Sequence, residues 1–278
     1  MTRAPTRVGY LGPEGTFSHE AALASGVHGE LVALRTVHDV VVAVQDATVD
    51  RGLAPIENTL EGAVNATLDA LAFDAPDVRI VGELRHPVEL CLIADAARDL
   101  AEISEVASHP QPLGQCAGFL REHLPGAATR ATTSTAEAVR AVGGPVAAIG
   151  PRAAAALYGA VVLRAGIEDE HGNETRFVWL SRGPADPSPA GAAIRTAVVF
   201  HGAGDASPGW LVRCLSEFAF RGVNLTMIES RPRKQSLGHY MFFADLEGRD
   251  TDPPVAGAIA GVAEKTEQMR VLGSYPAA

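Results

Sequence analysis

Gly183-Pro-Ala-Asp-Pro-Ser-Pro-Ala-Gly191 sets three prolines and two glycines between two apolar segments, a composition that suits neither a helix nor a ladder. It divides the chain. Upstream, apolar strand-like runs alternate with helical patterns: Val8–Leu11, a helix from about Ser18, Leu31–Leu34, helix Val37–Ala47, Leu53–Ile56, helix Ala63–Phe73 and Val78–Leu84. The alternation continues through Val88–Ala94, Ile103–Ser108, helices Leu113–Leu124 and Thr135–Val142, Val146–Ile149, helix Arg152–Tyr158, Val161–Leu163 and Thr175–Leu180. This order predicts α/β architecture with a largely parallel sheet. Roughly 180 residues are too many for one sheet, so two α/β lobes with a ligand cleft between them are expected. Downstream, strand Arg195–Phe200, a helix through Leu211, Leu215 and Phe218, strands Asn224–Glu229 and His239–Leu246, a helix from about Val255 to Glu267, and strand Arg270–Ser274 follow one another. That is βαββαβ, an α+β ferredoxin-like unit.

The 278 residues are 47% hydrophobic and 20% charged, enough to bury ordinary cores and incompatible with a disordered chain. A formal charge of −10 and a pI near 5.4 argue against an extended phosphate-binding face, so nucleic acid is excluded as a partner. No apolar run reaches membrane-spanning length, and Met1–Arg7 leads into Val8–Leu11 without a stretch of signal-peptide type, so a cytoplasmic protein is expected. Cys91, Cys116 and Cys214 are odd in number and lack metal-ligand spacing, which fits a reducing compartment and no metal site.

Polar clusters fall where strands end. Gly12-Pro-Glu-Gly-Thr-Phe-Ser18 lies between a strand and a helix without the lysine of a P-loop. It reads either as an anion-facing turn or as a tight turn with Ser18 as N-cap. Glu57, Asn58 and Thr59 end another strand, where an amide and a hydroxyl either hold a ligand or cap a helix. Ser108, His109, Gln111 and Gln115 repeat the theme, with the two glutamines spaced to share a helix face. His109 has no partner motif for a general base, and an orienting or structural role is favoured. Thr133-Ser-Thr-Ala-Glu137 reads as a capping box with Ser134 or Thr135 as N-cap. In Asn173-Glu-Thr-Arg-Phe177, alternation places Thr175 and Phe177 on one face and Arg176 on the other, a hydroxyl beside an aromatic wall suited to a small cyclic substrate.

Taken in order, Gly12–Ser18, Pro55–Thr59, Ser108–Gln111 with Gln115-Cys116, Ser134–Ala138, Asn173–Phe177 and Ile228–Pro232 resemble the prephenate dehydratases. The resemblance implies a two-lobed catalytic domain like the type II periplasmic-binding fold over residues 1–182, a linker at 183–193, and an ACT regulatory domain over 194–278. It further implies decarboxylating dehydration of prephenate to phenylpyruvate, carbon dioxide and water in phenylalanine biosynthesis, with no cofactor, and a homodimer or homotetramer. With no helical chorismate-mutase region before Val8, the likeness is to monofunctional enzymes. By the same resemblance Thr175 is the principal catalytic residue, hydrogen-bonding the leaving hydroxyl, and Glu57, Asn58, Ser108 and Gln115 line the active site. Thr16, Phe17, Ser18, Thr59, His109, Gln111, Ser134, Thr135 and Phe177 bind substrate, and Arg176 pairs with a substrate carboxylate if the strand start turns it inward.

The family binds phenylalanine at a subunit interface between a Gly-Ala-Leu segment and a Glu-Ser-Arg-Pro segment. Here these read Gly209-Trp210-Leu211 and Glu229-Ser230-Arg231-Pro232, with Asn224-Leu225 nearby. Tryptophan in place of a methyl group either fills the effector pocket and alters feedback or points away from it. A second departure is Glu89, where the family commonly carries histidine. The rivals are a non-aromatising prephenate decarboxylase, an arogenate dehydratase, a solute-binding receptor and a catalytically decayed sensor. Thr175-Arg-Phe177 speaks against the first, because that chemistry has no use for a donor to the leaving hydroxyl.

Overall fold

A computed structural model describes residues 6–183, 191–202 and 207–278; most of the expected linker, 184–190, lies outside them. The first elements are β1 (Arg7–Leu11), α1 (Phe17–Ala24), β2 (Glu30–Leu34), α2 (Val37–Gln45), β3 (Arg51–Asn58), β4 (Gly62–Ala63), α3 (Asn65–Phe73) and β5 (Arg79–Pro87). β6 (Cys91–Ala94), β7 (Glu105–Ser108), α4 (Pro110–Gln115), α5 (Ala117–His123), β8 (Ala128–Ala131), α6 (Thr135–Arg140), β9 (Val146–Gly150), α7 (Arg152–Tyr158) and β10 (Val161–Ala165) follow. β11 (Glu174–Ser181) closes this part. β1 and β2 pair in parallel in a sheet ordered β2-β1-β3-β11-β5, with β4 on β3.

The second sheet runs β10-β6-β9-β7-β8. It is mixed rather than parallel, since β6 pairs antiparallel with β9 and β10 while β7 pairs parallel with β8 and β9. Its residues alternate between two cores: Leu92, Val106, Ala147 and Ile149 pack with Cys116 and Leu120 on one face, and Cys91, Ile93, Ala107 and Ala148 with Val139 and Ala154 on the other. Burial on both faces is why these strands read as unbroken apolar runs.

The expected helix Leu113–Leu124 is instead two, α4 and α5, meeting at Cys116. The Asp169 carboxylate accepts from the amides of Gly118 and Phe119 (2.8 and 3.2 Å), while the Asp169 amide donates to the Gln115 carbonyl at 2.7 Å. A residue from a remote loop thus caps both new ends.

The C-terminal elements are β12 (Ile194–His201), α8 (Trp210–Ala219), β13 (Leu225–Pro232), β14 (Tyr240–Glu247), α9 (Pro253–Ala263) and β15 (Gln268–Pro276). They form the expected βαββαβ succession, as an antiparallel sheet ordered β13-β14-β12-β15. Val198, Phe200, Cys214, Phe218, Leu246 and Val262 build its core, and Trp210 belongs to it at 4% exposure. By packing, the chain divides into Met1–Val40, Asn58–Gly62 and Arg85–Thr175 as one compact unit, and Val41–Glu57, Ala63–Leu84 and Arg176–Ala278 as the other. Within the second, Gly273 is required by close approach, because a Cβ there would lie 2.0 Å from the Ile80 carbonyl oxygen.

Candidate active site

The turn after β1 opens the first part of the site. Gly15 takes φ +82°, a conformation that excludes an ordinary side chain at low cost. Thr16, not Ser18, is the N-cap of α1: its Oγ1 accepts from the His19 amide at 3.3 Å and donates to the carbonyl of Leu11 or Pro13. Gly15 N–H donates to His19 Nδ1 at 3.1 Å. Burial lowers the His19 pKa, which agrees with a neutral ring accepting at Nδ1.

Thr16, Phe17 and Ser18 face a cavity of about 900 Å³ together with His109, Gln111, Ser134 and Thr135. Ser134 caps α6 by accepting from the Glu137 amide at 3.1 Å, but the Glu137 carboxylate accepts from the amide of Thr133 at 2.8 Å rather than from that of the N-cap, so only half of the expected capping box forms; Ser134 and Glu137 both line the cavity. His109 caps α4, with its Nδ1 accepting from the Gln111 amide.

Two further lining residues carry positive charge, on the same cavity wall as the Glu137 carboxylate. Arg35 and Arg140 are exposed and neither has an ion-pair partner among the described residues. Arg140 lies over the Tyr158 ring, 5.8 Å from its centroid. Sequence reading missed both. Arg35 directly follows β2, the end of a parallel strand where such sheets present ligand groups, and that rule could have found it. Arg140 carries no such signal.

A second grouping surrounds Thr175. Asn58 Nδ2 lies 3.0 Å from Thr175 Oγ1, 2.8 Å from Asn173 Oδ1 and 3.1 Å from the Glu174 carbonyl. Thr59 Oγ1 donates to Asn173 Oδ1 at 3.0 Å and accepts from the Glu174 amide at 2.9 Å. Asn58 Oδ1 accepts from the amides of Leu60 and Glu61, so the residue both caps a turn and holds the hydroxyl. Glu61 in that turn accepts from Gln115 Nε2 at 3.4 Å. Gln115 is one turn along α4 from Gln111, about 6 Å, which links the Thr175 cluster to the helix whose start lines the cavity.

A profile of the prephenate dehydratase family matches residues 8–185. The chain belongs to the prephenate dehydratase family. A prephenate dehydratase of Amycolatopsis methanolica is 39% identical over 97% of this chain and 88% of its own. The solved prephenate dehydratase of Arthrobacter aurescens in complex with L-Phe is 37% identical over 98% of this chain and 90% of that one, with a TM-score of 0.87. A structure described as a novel type of quorum-quenching acylase, GqqA, is 30% identical over 98% of each chain, with a TM-score of 0.86.

Other residues to which the prephenate dehydratase likeness assigns site roles lie elsewhere. Thr175, Asn58, Thr59, Gln115 and Phe177 are not in the cavity lining. Ser108 is fully buried and gives its proton to the Ile149 carbonyl at 2.7 Å. Phe177 is buried in the core. Arg176, expected as a substrate-carboxylate partner only if turned inward, is buried on the opposite strand face, as alternation requires, and paired with Glu57, Glu83 and Asp245. Glu57 therefore meets Arg176 rather than the Thr175 hydroxyl. Glu89 is paired with Arg152 at 3.0 Å. Asn173, quoted in the motif but given no role, is the hub between Asn58 and Thr59.

Of the effector segments, Gly209, Trp210 and Leu211 line a separate cavity of about 280 Å³ with Tyr240 and Phe242. The indole N–H donates to the Lys265 carbonyl at 2.7 Å, and the ring packs near Phe200 and Phe242. Trp210 therefore does not point to solvent. Glu229, Ser230 and Pro232 lie on edge strand β13, Arg231 pairs bidentately with Asp69 at 2.9 and 3.0 Å, and Asn224 and Leu225 sit at that strand's start.

Proposed function

We infer that the protein converts prephenate to phenylpyruvate, carbon dioxide and water, with Thr175 as the hydrogen-bond donor to the departing C4 hydroxyl. One observation carries this most: Thr175 Oγ1 is held as an acceptor by Asn58, while its own proton is not engaged among the described residues. An amide donating into a hydroxyl oxygen polarises that hydroxyl and makes it a better donor.

The chemistry asks for little more. The C1–carboxylate bond breaks, its electron pair enters the ring, and the C4–oxygen bond breaks with loss of hydroxide, leaving an aromatic ring and carbon dioxide. Threonine is too weak an acid to protonate the hydroxide alone, so Thr175 stabilises the oxygen as charge develops and water completes the proton balance. Arg35 and Arg140 supply cationic partners for the pyruvyl carboxylate. The ring carboxylate is better left without a cation, which would oppose its loss as neutral carbon dioxide. Thr16, Ser18, Gln111, Ser134 and Thr135 orient the substrate.

Residues 1–182 form the two-lobed catalytic domain in this reading, 183–193 the linker, and 194–278 an ACT domain with L-phenylalanine as effector. The Arthrobacter aurescens relative in complex with L-Phe supports that assignment. Exposed Val212, Phe220, Ile228 and Leu237 on the C-terminal elements support a homodimer or homotetramer. No helix among the described residues is long and apolar enough to cross a membrane, and the assigned role is that of a cytoplasmic enzyme.

The test is prephenate with purified protein, following phenylpyruvate and carbon dioxide together. Equal release is expected, and Thr175→Ala should lower turnover by about 10²–10⁴ with the fold retained; wild-type turnover in the variant would remove the role of Thr175. Carbon dioxide without phenylpyruvate would point to a non-aromatising decarboxylase. An acylase acting through Thr175 as nucleophile would need a base beside it, and its hydroxyl has no carboxylate or imidazole partner among the described residues. L-Phenylalanine titrated calorimetrically into wild type and Trp210→Ala checks the regulatory part: Trp210 acts as a pocket wall if the substitution changes affinity, and has no such role if affinity is unchanged.

A further inference from the structure

Two neighbours on each of two strands face opposite ways. Asn58 and Thr175 make one pair at 3.0 Å; the residues beside them in the chain, Glu57 and Arg176, make another at 3.0 Å. The second pair is part of a buried charge network. Arg176 directs Nε to Glu57, Nη1 to Glu83 at 3.2 Å and Nη2 to Asp245 at 2.7 Å, and its side chain is 8% exposed. Glu83, with a fully buried side chain, also meets Arg195 at 2.5 Å. Asp245, 1% exposed, has no hydrogen bond of good geometry among the described residues; burial raises its pKa, and the Arg176 guanidinium at 2.7 Å opposes that shift.

Glu83 and Asp245 are shut off from water around Arg176, whereas Glu57, the third carboxylate, is 41% exposed. Such networks are a poor source of stability, because desolvation offsets most of the attraction, and well-packed apolar groups often do as well. What the network does provide is a fixed position for Arg176, with all three guanidinium nitrogens engaged, one peptide bond from Thr175.

We propose that Asp245, on β14 of the C-terminal sheet, is a positioning residue for Thr175: by fixing Arg176 it fixes the adjacent backbone and holds the Thr175 hydroxyl against Asn58. The inference rests on the reading of Thr175 as donor to the leaving hydroxyl. Met227 faces Asp245 in the β13–β14 register, and its sulfur lies 3.5 Å from Arg176 Nη2. The strand that carries Glu229–Pro232 therefore touches the same guanidinium.

The experiment uses the full chain and prephenate, with Asp245→Asn, Thr175→Ala and the double variant. Asp245→Asn, nearly isosteric, should lower kcat at least tenfold with KM within threefold, in protein shown by its melting curve to be folded at the assay temperature. In the Thr175→Ala background the same substitution should cost less than twofold, because the group it acts through is gone. A folded Asp245→Asn enzyme with kcat within twofold of wild type would overturn the proposal, as would a full tenfold loss persisting in the Thr175→Ala background. Should Asp245→Asn fail to fold, Glu57→Gln, whose parent side chain is 41% exposed, removes another leg of the brace and should show the same split; unchanged kcat there also overturns it. Full turnover by Thr175→Ala instead removes the underlying assignment of Thr175, so the two failures are distinguishable.

Discussion

Arg35 and Arg140 are exposed at a cavity wall and without ion pairs among the described residues, whereas Arg176 is buried among carboxylates and Arg195 meets the buried Glu83. The same side chain serves opposite ends. A guanidinium that already has its carboxylates cannot bind another, so it can only hold structure in place. One left open in water loses little on meeting a substrate anion and gains a directed pair of hydrogen bonds. The residue that sequence alternation turned away from the substrate is thus the saturated one, and the two that carried no motif are the open ones.

The largest effect that could break this contrast is on stability. Arg176→Met leaves Glu83 and Asp245 as buried carboxylates short of a counter-charge and should cost about 3–5 kcal/mol in chemical unfolding. Arg35→Met should cost under about 0.5 kcal/mol in the same measurement; equal losses would erase the distinction. Next in size, Arg140→Met should raise KM for prephenate roughly tenfold or more with kcat held, the value of a charge-assisted contact. Added salt should raise KM in wild type but much less in that variant, because exposed charges are the ones that salt screens. A fall in kcat with constant KM would assign Arg140 to the chemistry instead.

The smallest effect concerns a pair of intermediate burial. Burial works to raise the Asp69 pKa, but hydrogen bonds from Arg231 and Lys234 outweigh it and hold the group below its ordinary 3.8. A depressed folded-state pKa stabilises above the unfolded value, and the benefit is lost as pH falls through the folded one. The stability gap between wild type and Asp69→Asn should be about 1 kcal/mol at pH 7 and narrow as pH falls below the ordinary 3.8. A gap that stays constant with pH would mean that Asp69 contributes by packing rather than charge.

How much was legible in the sequence follows from which forces are local. Strands buried on both faces announced themselves as apolar runs, and the C-terminal βαββαβ order was readable from periodicity alone. β8 was not, since Ala128–Ala131 is exposed throughout and carries no alternation. The break at Cys116 was invisible because Asp169, which makes it, lies about fifty residues away. Ser18 in place of Thr16 as N-cap was a shift within one turn, where hydroxyls two residues apart compete for the same amides. Around Thr175 the motif supplied the hydroxyl and alternation supplied the direction of Arg176. The partners of Arg176 come from β3, β5 and β14, and only tertiary structure brings those together.

Arg270 on β15 donates to the carbonyls of Leu71, Ala75 and Val78 at 2.7–3.0 Å, at and just beyond the end of α3. The helix is finished by a side chain encoded 195 residues after the carbonyl of Ala75. During synthesis at about 5–20 residues per second, α3 waits roughly 10–40 s for that cap. In a nascent chain stalled before β15 those carbonyls lack their arginine, so a strand made late closes a helix made much earlier.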